Sequence, residues 1–271
     1  MKLAWITDAH MEWMSQDHLD TIHNSLLDSE TAAVIMSGDI SNSTNIRKSL
    51  NLLASLPMPV YFVLGNHDIY GSTFEYVHAM VRKSVRHSKG NLVWLSESAP
   101  IQLTPKTYLI GQDGWADGRA GAGQSSGYLI NDYQSISDFR GLSVGSVFTL
   151  MQKKADLATK KLVAQIRKIG AGTERPHIIV VTHVPPFEKA CRYDGHVTDP
   201  MYLPHFSNIN MGRVLEDEVK KIRWCRLSIL CGHTHNETRI NINKKIGVWV
   251  GSPMSVHNVP VYTVVDADVG C

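Results

Sequence analysis

The chain has 271 residues, with 27 Lys and Arg against 25 Asp and Glu, so its net charge is +2 when His is neutral. This length and a hydrophobic content of 43% are enough for a large core, and 19% charged residues argue against disorder. The small net charge gives no electrostatic support for a dedicated nucleic-acid or membrane-surface binder. The count of 13 His points to chemistry, since imidazole is a common metal ligand and proton carrier.

The first residues and the cysteines both indicate the cytoplasm. Asp8 and His10 interrupt the apolar start before it reaches the length of a signal peptide, and no apolar run approaches the ~20 residues of a membrane helix. The four cysteines show no metal-binding spacing and are too few for a disulfide framework. We therefore expect a cytoplasmic protein with reduced thiols and no membrane contact.

Short apolar runs alternate with segments of helical spacing along most of the chain. Strands are predicted at 3–7, 33–36, 60–64, 178–181, 227–231, 247–250 and 261–264. Apolar residues three and four apart predict helices around 19–26, 46–53, 74–81 and 155–169, and a last helix capped by Asn210. This alternation predicts an α/β architecture, with 1–271 forming a single domain.

One segment, 111–127, breaks the alternation. It contains six glycines around Trp115, Asp117 and Arg119. Long loops without regular structure are usually either functional or mobile. Two interpretations stay open, a mobile surface loop and an active-site lid.

A polar cluster follows nearly every predicted strand. The clusters are Asp8-Ala9-His10, Gly38-Asp39, Gly65-Asn66-His67-Asp68, Thr182-His183 and Gly232-His233-Thr234-His235. Each cluster alone is a weak signal, because such short motifs occur by chance. In open α/β sheets, however, the carboxyl ends of the strands line the ligand crevice, so all five clusters are expected to converge on one edge.

The clusters together have the composition of a metal site. Buried Asp, Asn and His side chains need compensation, which divalent cations supply. The expected ligands are carboxylates, imidazoles and one amide, namely Asp8, His10, Asp39, Asn66, His183, His233 and His235. This nitrogen and oxygen set suits Mn, Fe or Zn, and seven ligands suit two ions that share a bridging carboxylate.

The five clusters, in this order, closely resemble the motifs of the calcineurin-like metallophosphoesterase superfamily. The resemblance runs from residue 8 to residue 235 and implies a four-layer α-β-β-α sandwich of two mixed sheets flanked by helices. It also implies a division of the ligands between two ions. One ion is expected at Asp8, His10 and His235, and the other at Asn66, His183 and His233, with Asp39 bridging them.

The resemblance assigns catalytic roles to two further residues. His67 matches the family's catalytic histidine, which contacts the phosphate and protonates the leaving oxygen, and Asp68 is expected to orient its ring. A metal-activated hydroxide would attack phosphorus, which needs no protein nucleophile. For His67 the alternative is a structural role in the turn.

Departures from well-known branches narrow the assignment. The Asp-Arg-Gly motif of Ser/Thr protein phosphatases is absent after Asp39, and Asn42 stands where purple acid phosphatases use a tyrosine ligand. The lipid A pathway pyrophosphatase usually has Arg at the position of His67. The bacterial-type phosphodiesterases and phosphatases remain.

The expected partner is a phosphoester small molecule or a nucleotide, with monoester and diester both open. Two alternatives are a nuclease acting on DNA or RNA and a non-catalytic metal-binding interaction module that retains the fold. Arg119 and Arg140 could bind a second phosphate or lie solvated at the surface, and Trp13 and Trp115 could stack on a base or cover apolar surface.

Overall fold

Two large β-sheets form the centre of the fold, and the computed structural model describes residues 1–253 and 262–267. The strands of the first sheet are β1 (Lys2–Ile6), β2 (Ala33–Ser37), β3 (Val60–Val63), β4 (Leu92–Trp94) and β13 (Thr263–Asp266). Their spatial order is β13-β1-β2-β3-β4, and only β13 runs antiparallel to its neighbour among these described strands. The parallel strands direct the ends of β1, β2 and β3 to the same edge.

The second sheet contains the two other strands that precede predicted site residues. Its strands are β5 (Ile101–Gln102), β6 (Thr107–Gly111), β7 (His177–Val181), β10 (Arg226–Cys231), β11 (Thr238–Asn243) and β12 (Ile246–Val250). The spatial order is β11-β12-β10-β7-β6-β5, with parallel pairing of β6, β7, β10 and β12. A separate hairpin consists of β8 (Arg192–Tyr193) and β9 (His196–Val197).

The helices lie between the strands in the chain. They are α1 (Gln16–Leu27), α2 (Ile46–Ala54), α3 (Phe74–His87), α4 (Asp132–Ser135), α5 (Val144–Gly172), α6 (Leu203–Phe206) and α7 (Ile209–Lys221). Side chains of Ser15, Thr73, Ser143 and Asn208 cap the N-termini of α1, α3, α5 and α7, which satisfies backbone N–H groups that have no partner inside the helix.

Three apolar clusters show how the layers stack. Because strand side chains alternate between faces, Leu3 and Trp5 of β1 pack between the sheets, whereas Ala4 and Ile6 face α1, α2 and α3. On the other side, the outer face of the second sheet packs against α5 and α7 through residues such as Leu162. The predicted four-layer α-β-β-α sandwich is confirmed.

Most predicted elements are present with small shifts of their ends. The predicted cap of the last helix is wrong, because Asn208 rather than Asn210 accepts the hydrogen bond from the Met211 amide. The long helix begins at Val144, well before the predicted stretch, and continues through the apolar residues Val147 and Met151. The sequence analysis also missed several elements that are short or lie beside polar residues, namely β4, β5, β6, β8, β9, β11, α4 and α6.

The segment 111–127 divides into two parts. Residues 114–118 are buried, and Gly114 lies so close to Thr182 that a Cβ would be 1.9 Å from its hydroxyl oxygen. A mobile surface loop therefore does not describe this first part. Residues 121–125 are more exposed, and a lid function for the segment stays a prediction.

Among the described residues, no helix is long and apolar enough to cross a membrane. The predicted strand at 261–264 begins at a residue outside the described ranges. The fourth cysteine, Cys271, also lies outside them. The other three cysteines, Cys191, Cys225 and Cys231, are buried free thiols.

Candidate metal centre

The loops that follow β1, β2, β3, β7 and β10 meet at one edge of the sandwich. Backbone hydrogen bonds hold neighbouring loops together: the His10 amide donates to the Asp39 carbonyl over 3.0 Å, and the Gly232 amide donates to the His183 carbonyl over 2.9 Å. The structure thus brings together all seven residues predicted as ligands, although they span residues 8 to 235 of the chain.

The backbone at this edge is unusual. Nine described non-glycine residues have positive φ, and five of them are predicted ligands: Asp8, His10, Asp39, His233 and His235. The left-handed region is unfavourable for side chains with a Cβ, so the surrounding structure must hold these residues there. Such strained positions concentrate at functional sites, which supports a functional role for this edge.

Two glycines allow the loops to approach each other closely. A Cβ on Gly65 would lie 2.1 Å from a carboxylate oxygen of Asp39, and one on Gly232 would lie 2.0 Å from the Thr7 hydroxyl and 2.1 Å from an Asp8 oxygen. These contacts explain why glycine precedes the polar residues after β3 and β10.

Asn66, His183 and His233 form one group of candidate ligands, here called the anchored half-site. The Asn66 Oδ1 atom is 3.1 Å from His183 Nε2 and 3.1 Å from His233 Nδ1, and Asp39 Oδ2 is 3.3 Å from the same nitrogen of His183. Two atoms bound to one metal ion at about 2.1 Å are separated by roughly 3 Å, so these spacings suit a shared ion.

The other nitrogen of each imidazole in the anchored half-site already has a partner. His183 Nδ1 donates to the Ser37 carbonyl over 2.9 Å, and His233 Nε2 donates to the His205 carbonyl over 3.0 Å. These contacts assign the proton to the outer nitrogen and leave the inner nitrogen as a ligand, as in many metal sites.

Asp132 fixes the orientation of the Asn66 amide. The Asn66 nitrogen donates to Asp132 over 2.9 Å and to the Tyr70 hydroxyl over 3.2 Å, so its oxygen must face the two imidazoles. Tyr70 also donates its hydroxyl proton to Asp132. Burial raises the pKa of Asp132 to about 6, against the opposing effect of its two hydrogen-bond donors.

Asp8, His10 and His235 form the second group, the open half-site. One ligand atom from each of these residues and from Asp39 lies within 4.8 Å of the others. His235 Nε2 is 3.3 Å from Asp8 Oδ1, and the His235 side chain is 44% exposed. Asp8 is held by the Thr7 hydroxyl at 2.7 Å and by the His233 amide at 3.0 Å.

His10 supplies a direct test of whether these residues fit a metal ion. Its ring is buried, and neither ring nitrogen has a hydrogen-bond partner among the described residues. Nε2 faces the Asp39 carboxylate at 3.9 Å, while Nδ1 faces Glu12 at 3.7 Å. A buried imidazole between two carboxylates is explained if an ion binds Nε2 and Glu12 accepts the proton on Nδ1.

Asp39 lies between the two groups. Burial alone would raise the pKa of Asp39, but the imidazoles of His183, His67 and His10 outweigh burial and hold it well below its ordinary value. Burial alone would lower the pKa of His183, but the carboxylates of Asp39 and Asp8 outweigh burial and raise the pKa to about 10. The two carboxylates therefore favour a positive charge at Nε2 of His183, and a bound cation there would supply it.

The two residues predicted as catalytic occupy different environments. His67 is half-buried, stacks on Tyr70 with 4.1 Å between ring centroids, and places Nε2 4.0 Å from Asp39 Oδ2. Asp68 is fully buried and accepts hydrogen bonds from the Ser41 and Gly65 amides over 2.9 and 2.7 Å. Both carboxylate oxygens of Asp68 thus bind the backbone of two loops, while the His67 ring contacts the rings of Tyr70, His10 and Trp13. An orienting role of Asp68 toward the His67 ring stays a prediction.

Other residues named from the sequence are also located. Arg119 is bound at both ends of its guanidinium by Asp156 at 2.8 Å, and Trp115 is 7% exposed within the core. Trp13 and Arg140, in contrast, lie at the surface near His67. The sequence also offers Pro204-His205-Phe206 and Met254-Ser255-Val256-His257 as segments that either line the pocket or pack in loops, and positions 254–257 lie outside the described residues.

The sequence analysis missed Glu12, Tyr70 and Asp132, and it considered His205 as a possible wall of the pocket without anticipating the role of its carbonyl. Glu12 lies two residues after His10, a spacing that could have suggested it. Asp132 and His205 give no local signal, because only the folded chain brings them to the metal centre.

Comparisons with known proteins agree with this architecture. The family described as calcineurin-like phosphoesterase matches residues 1–237. No curated protein matches the chain. Among solved structures, phosphopantetheinyl hydrolase from Mycobacterium tuberculosis superposes with a TM-score of 0.70 at 13% identity, covering 97% of this chain and 95% of that one.

Two further structures share the fold. A dimetal phosphatase from Danio rerio has a TM-score of 0.60 at 13% identity, covering 97% of this chain and 91% of that one. The protein TT1561 of Thermus thermophilus has a TM-score of 0.59 at 11% identity, covering 99% and 95%. The family match spans most of the chain and includes all five polar clusters, and it shows that the chain belongs to the calcineurin-like phosphoesterase family.

Proposed function

We propose that this protein hydrolyses phosphoester bonds with the help of two divalent ions, with Mn, Fe or Zn as the best-suited metals. One observation carries the proposal: Asp39 Oδ2 lies 3.3 Å from His183 Nε2 and 3.9 Å from His10 Nε2, between the two half-sites. A carboxylate in this position suits a bridge between two ions. The dimetal phosphatase from Danio rerio, which shares the fold, supports the same interpretation.

The two ions, when bound, would lower the pKa of water and neutralise the phosphoryl oxygens. The protein's contribution is to hold the ligands in place. Ser37, His205 and Asp132 orient the imidazoles and the amide of the anchored half-site, and Glu12 faces the free nitrogen of His10. Fixed ligands need little reorganisation during the reaction, which favours catalysis.

We assign to His67 the protonation of the leaving oxygen. Its amide donates to Asp39 Oδ1 over 2.9 Å, so its position is tied to the proposed bridging carboxylate. Burial lowers the pKa of His67, while Asp39 acts in the opposite direction. The ring is 22% exposed and borders an open cleft, so a substrate can reach it. Asp68 then acts as a positioning residue that holds the turn containing His67.

The substrate is proposed to be a phosphoester small molecule or a nucleotide, either monoester or diester. The test loads the purified protein with manganese, zinc or iron separately and measures metal content and hydrolysis of p-nitrophenyl phosphate and bis(p-nitrophenyl) phosphate. Two ions per chain and turnover of at least one ester are expected. A chain that binds no metal, or binds it without hydrolysing either ester, contradicts the proposal.

His67→Ala separates the proposed catalytic role from a structural one. The variant is expected to keep its metal and to lose turnover by about a hundredfold or more, the usual contribution of general acid catalysis. His18→Ala, which removes an exposed histidine from α1, is the matched control and should change neither quantity. Loss of metal in His67→Ala would instead indicate a structural role.

A further inference from the structure

An open cleft of about 580 Å³ lies directly beside His67. Its volume is in the range of small-molecule sites. Its lining includes the side chains of Trp13, Asn42, Thr44, His67, Gln134 and Arg140. Because the proposed proton donor forms part of its wall, a group bound in this cleft would be next to the leaving oxygen.

Trp13 offers a flat apolar surface at this cleft. The residue is 71% exposed, although indole is among the side chains with most to gain from burial. One face stacks on the His10 ring, with 4.5 Å between centroids and an interplanar angle of 19°. This contact fixes the orientation of the indole and leaves the opposite face open for a planar ring.

Arg140 offers a positive charge at the same cleft. Its Nε atom donates to the Gln134 carbonyl over 2.7 Å, which holds the guanidinium in place. No carboxylate among the described residues forms an ion pair with it, whereas Arg119 and Arg82 are paired with Asp156 and Glu97. The remaining N–H groups suit an anionic oxygen, and a guanidinium fork matches the geometry of phosphate and carboxylate groups. A phosphate is the anion that fits a phosphoester substrate.

Glu12 is the one carboxylate of the described lining, and its charge does not oppose an anion directly. Its side chain is 4% exposed and faces His10 at 3.7 Å. The accessible charge of the described part of the cleft is therefore positive. The lining also contains side-chain amides and hydroxyls, which can exchange hydrogen bonds with the hydroxyl groups of a sugar.

We infer that this cleft receives the leaving group, and that the leaving group carries a planar ring and a further phosphate, as a nucleoside phosphate does. The inference rests on the proposed hydrolase function. In the reaction, a water oxygen forms a bond to phosphorus and the bond from phosphorus to the leaving oxygen breaks. The leaving oxygen keeps the electron pair and takes a proton from His67, which water then replaces. Trp13 binds the ring of the leaving group, and Arg140 binds the phosphate that stays on the leaving group.

The test compares a leaving group that contains both a ring and a phosphate with one that contains a ring alone, within whichever ester class the enzyme hydrolyses. For terminal phosphates, ADP expels AMP, which carries a phosphate, and p-nitrophenyl phosphate expels p-nitrophenol, a ring without one. For diesters, diadenosine 5′,5′-diphosphate expels AMP and bis(p-nitrophenyl) phosphate expels p-nitrophenol. The ratio of kcat/KM between wild type and variant, taken for each substrate, removes differences in intrinsic reactivity.

Arg140→Gln is expected to lower kcat/KM about ten- to a hundredfold for the substrate that expels AMP and less than about twofold for the p-nitrophenyl ester. Trp13→Leu is expected to lower both by about tenfold, since both leaving groups contain a ring. The matched controls are Arg86→Gln and Trp224→Leu, which change exposed residues outside the cleft.

The outcomes distinguish the two proposals. If wild type hydrolyses no substrate of either class, the hydrolase function itself fails. If it hydrolyses the p-nitrophenyl ester but Arg140→Gln affects both leaving groups equally or neither, the assignment of Arg140 to a second phosphate is overturned. Unchanged kinetics in Trp13→Leu would likewise remove the ring from the inference.

Discussion

The two halves of the candidate metal centre differ in how firmly the rest of the chain holds them. In the anchored half-site, both imidazoles donate to backbone carbonyls and Asp132 fixes the amide of Asn66. In the open half-site, His235 is 44% exposed and His10 has no hydrogen-bond partner among the described residues. The difference indicates that one ion would enter a prepared site, whereas the other would itself order part of its ligands.

Asp39→Asn should have the largest effect, because it changes the one side chain that both half-sites share. An amide carries no charge to bind two cations, so both affinities should fall and turnover should drop to the background of the assay. Elemental analysis and hydrolysis of a p-nitrophenyl ester measure the two effects. A variant with full metal content and full activity would contradict the bridging role.

Asp132→Asn tests the anchored half-site. The variant amide can offer its nitrogen to Asn66, which would allow the Asn66 amide to turn away from the metal. We expect the affinity for one ion to fall about ten- to a hundredfold, as is usual for residues that orient metal ligands. Stepwise calorimetric titration with zinc measures it. Tyr70→Phe keeps the bond between Asp132 and Asn66, so its effect should be smaller.

Glu12→Gln tests the open half-site. Glu12 is 3.7 Å from His10 Nδ1, longer than a hydrogen bond, so its support of the ligand is weaker in the structure as it stands. We expect at most about a tenfold loss in affinity for the other ion in the same titration. A larger loss than in Asp132→Asn would reverse the order of the two half-sites.

Glu218→Gln should have the smallest effect on the centre. Glu218 binds Arg167 through two contacts of 2.7 Å and thereby links α7 to α5. We expect metal affinity to stay unchanged while the free energy of unfolding falls only slightly, because the Arg167 side chain is largely exposed to solvent. Urea denaturation checks the stability change, and a change in metal affinity would show that the two regions are coupled.

The Glu218 contact also predicts a pH dependence. The hydrogen bond from Arg167, followed by that from Lys221, lowers the pKa of Glu218 from 4.5 to about 2 in the folded protein. A carboxyl group whose pKa is lower in the folded state stabilises the folded protein at pH values above its unfolded-state pKa. For Glu218 this stabilisation is lost as the pH falls from about 4.5 toward 2. The stability difference between wild type and Glu218→Gln should therefore be full at neutral pH and shrink below pH 4.5.

Local patterns predicted those parts of the molecule that depend on neighbouring residues in the chain. The strands before Asp8, Asp39 and His183 appear in the sequence as buried apolar runs, and their polar ends predicted which side chains meet. The start of α5 was missed, because its first turns pack on the cluster under the first sheet and its later turns on the cluster under the second. The apolar residues of α5 therefore do not form one continuous stripe with helical spacing in the sequence.

Supporting residues of the metal centre could not be predicted in this way. Asp132 reaches Asn66 across 66 positions of sequence, and the His205 carbonyl reaches His233 from the helix α6. No spacing or composition marks these contacts, since they arise only when loops from both sheets pack together. Asp68 gives the same lesson, because its neighbour in the chain is His67 while its hydrogen bonds go to Ser41 and Gly65.

The pairing of β13 with β1 has a consequence for how the protein is assembled. On one side, Leu3 of β1 pairs with Ala33 of β2, which follows early in the chain. On the other side, Leu3 pairs with Val265 of β13, which follows only near the end of the described residues. Contacts of such long sequence separation form late and slow the folding of a domain. The strand that leads to Asp8 and His10 thus pairs on its second edge only after β13 (Thr263–Asp266) has been synthesised. Truncation before β13 would leave this edge of β1 unpaired.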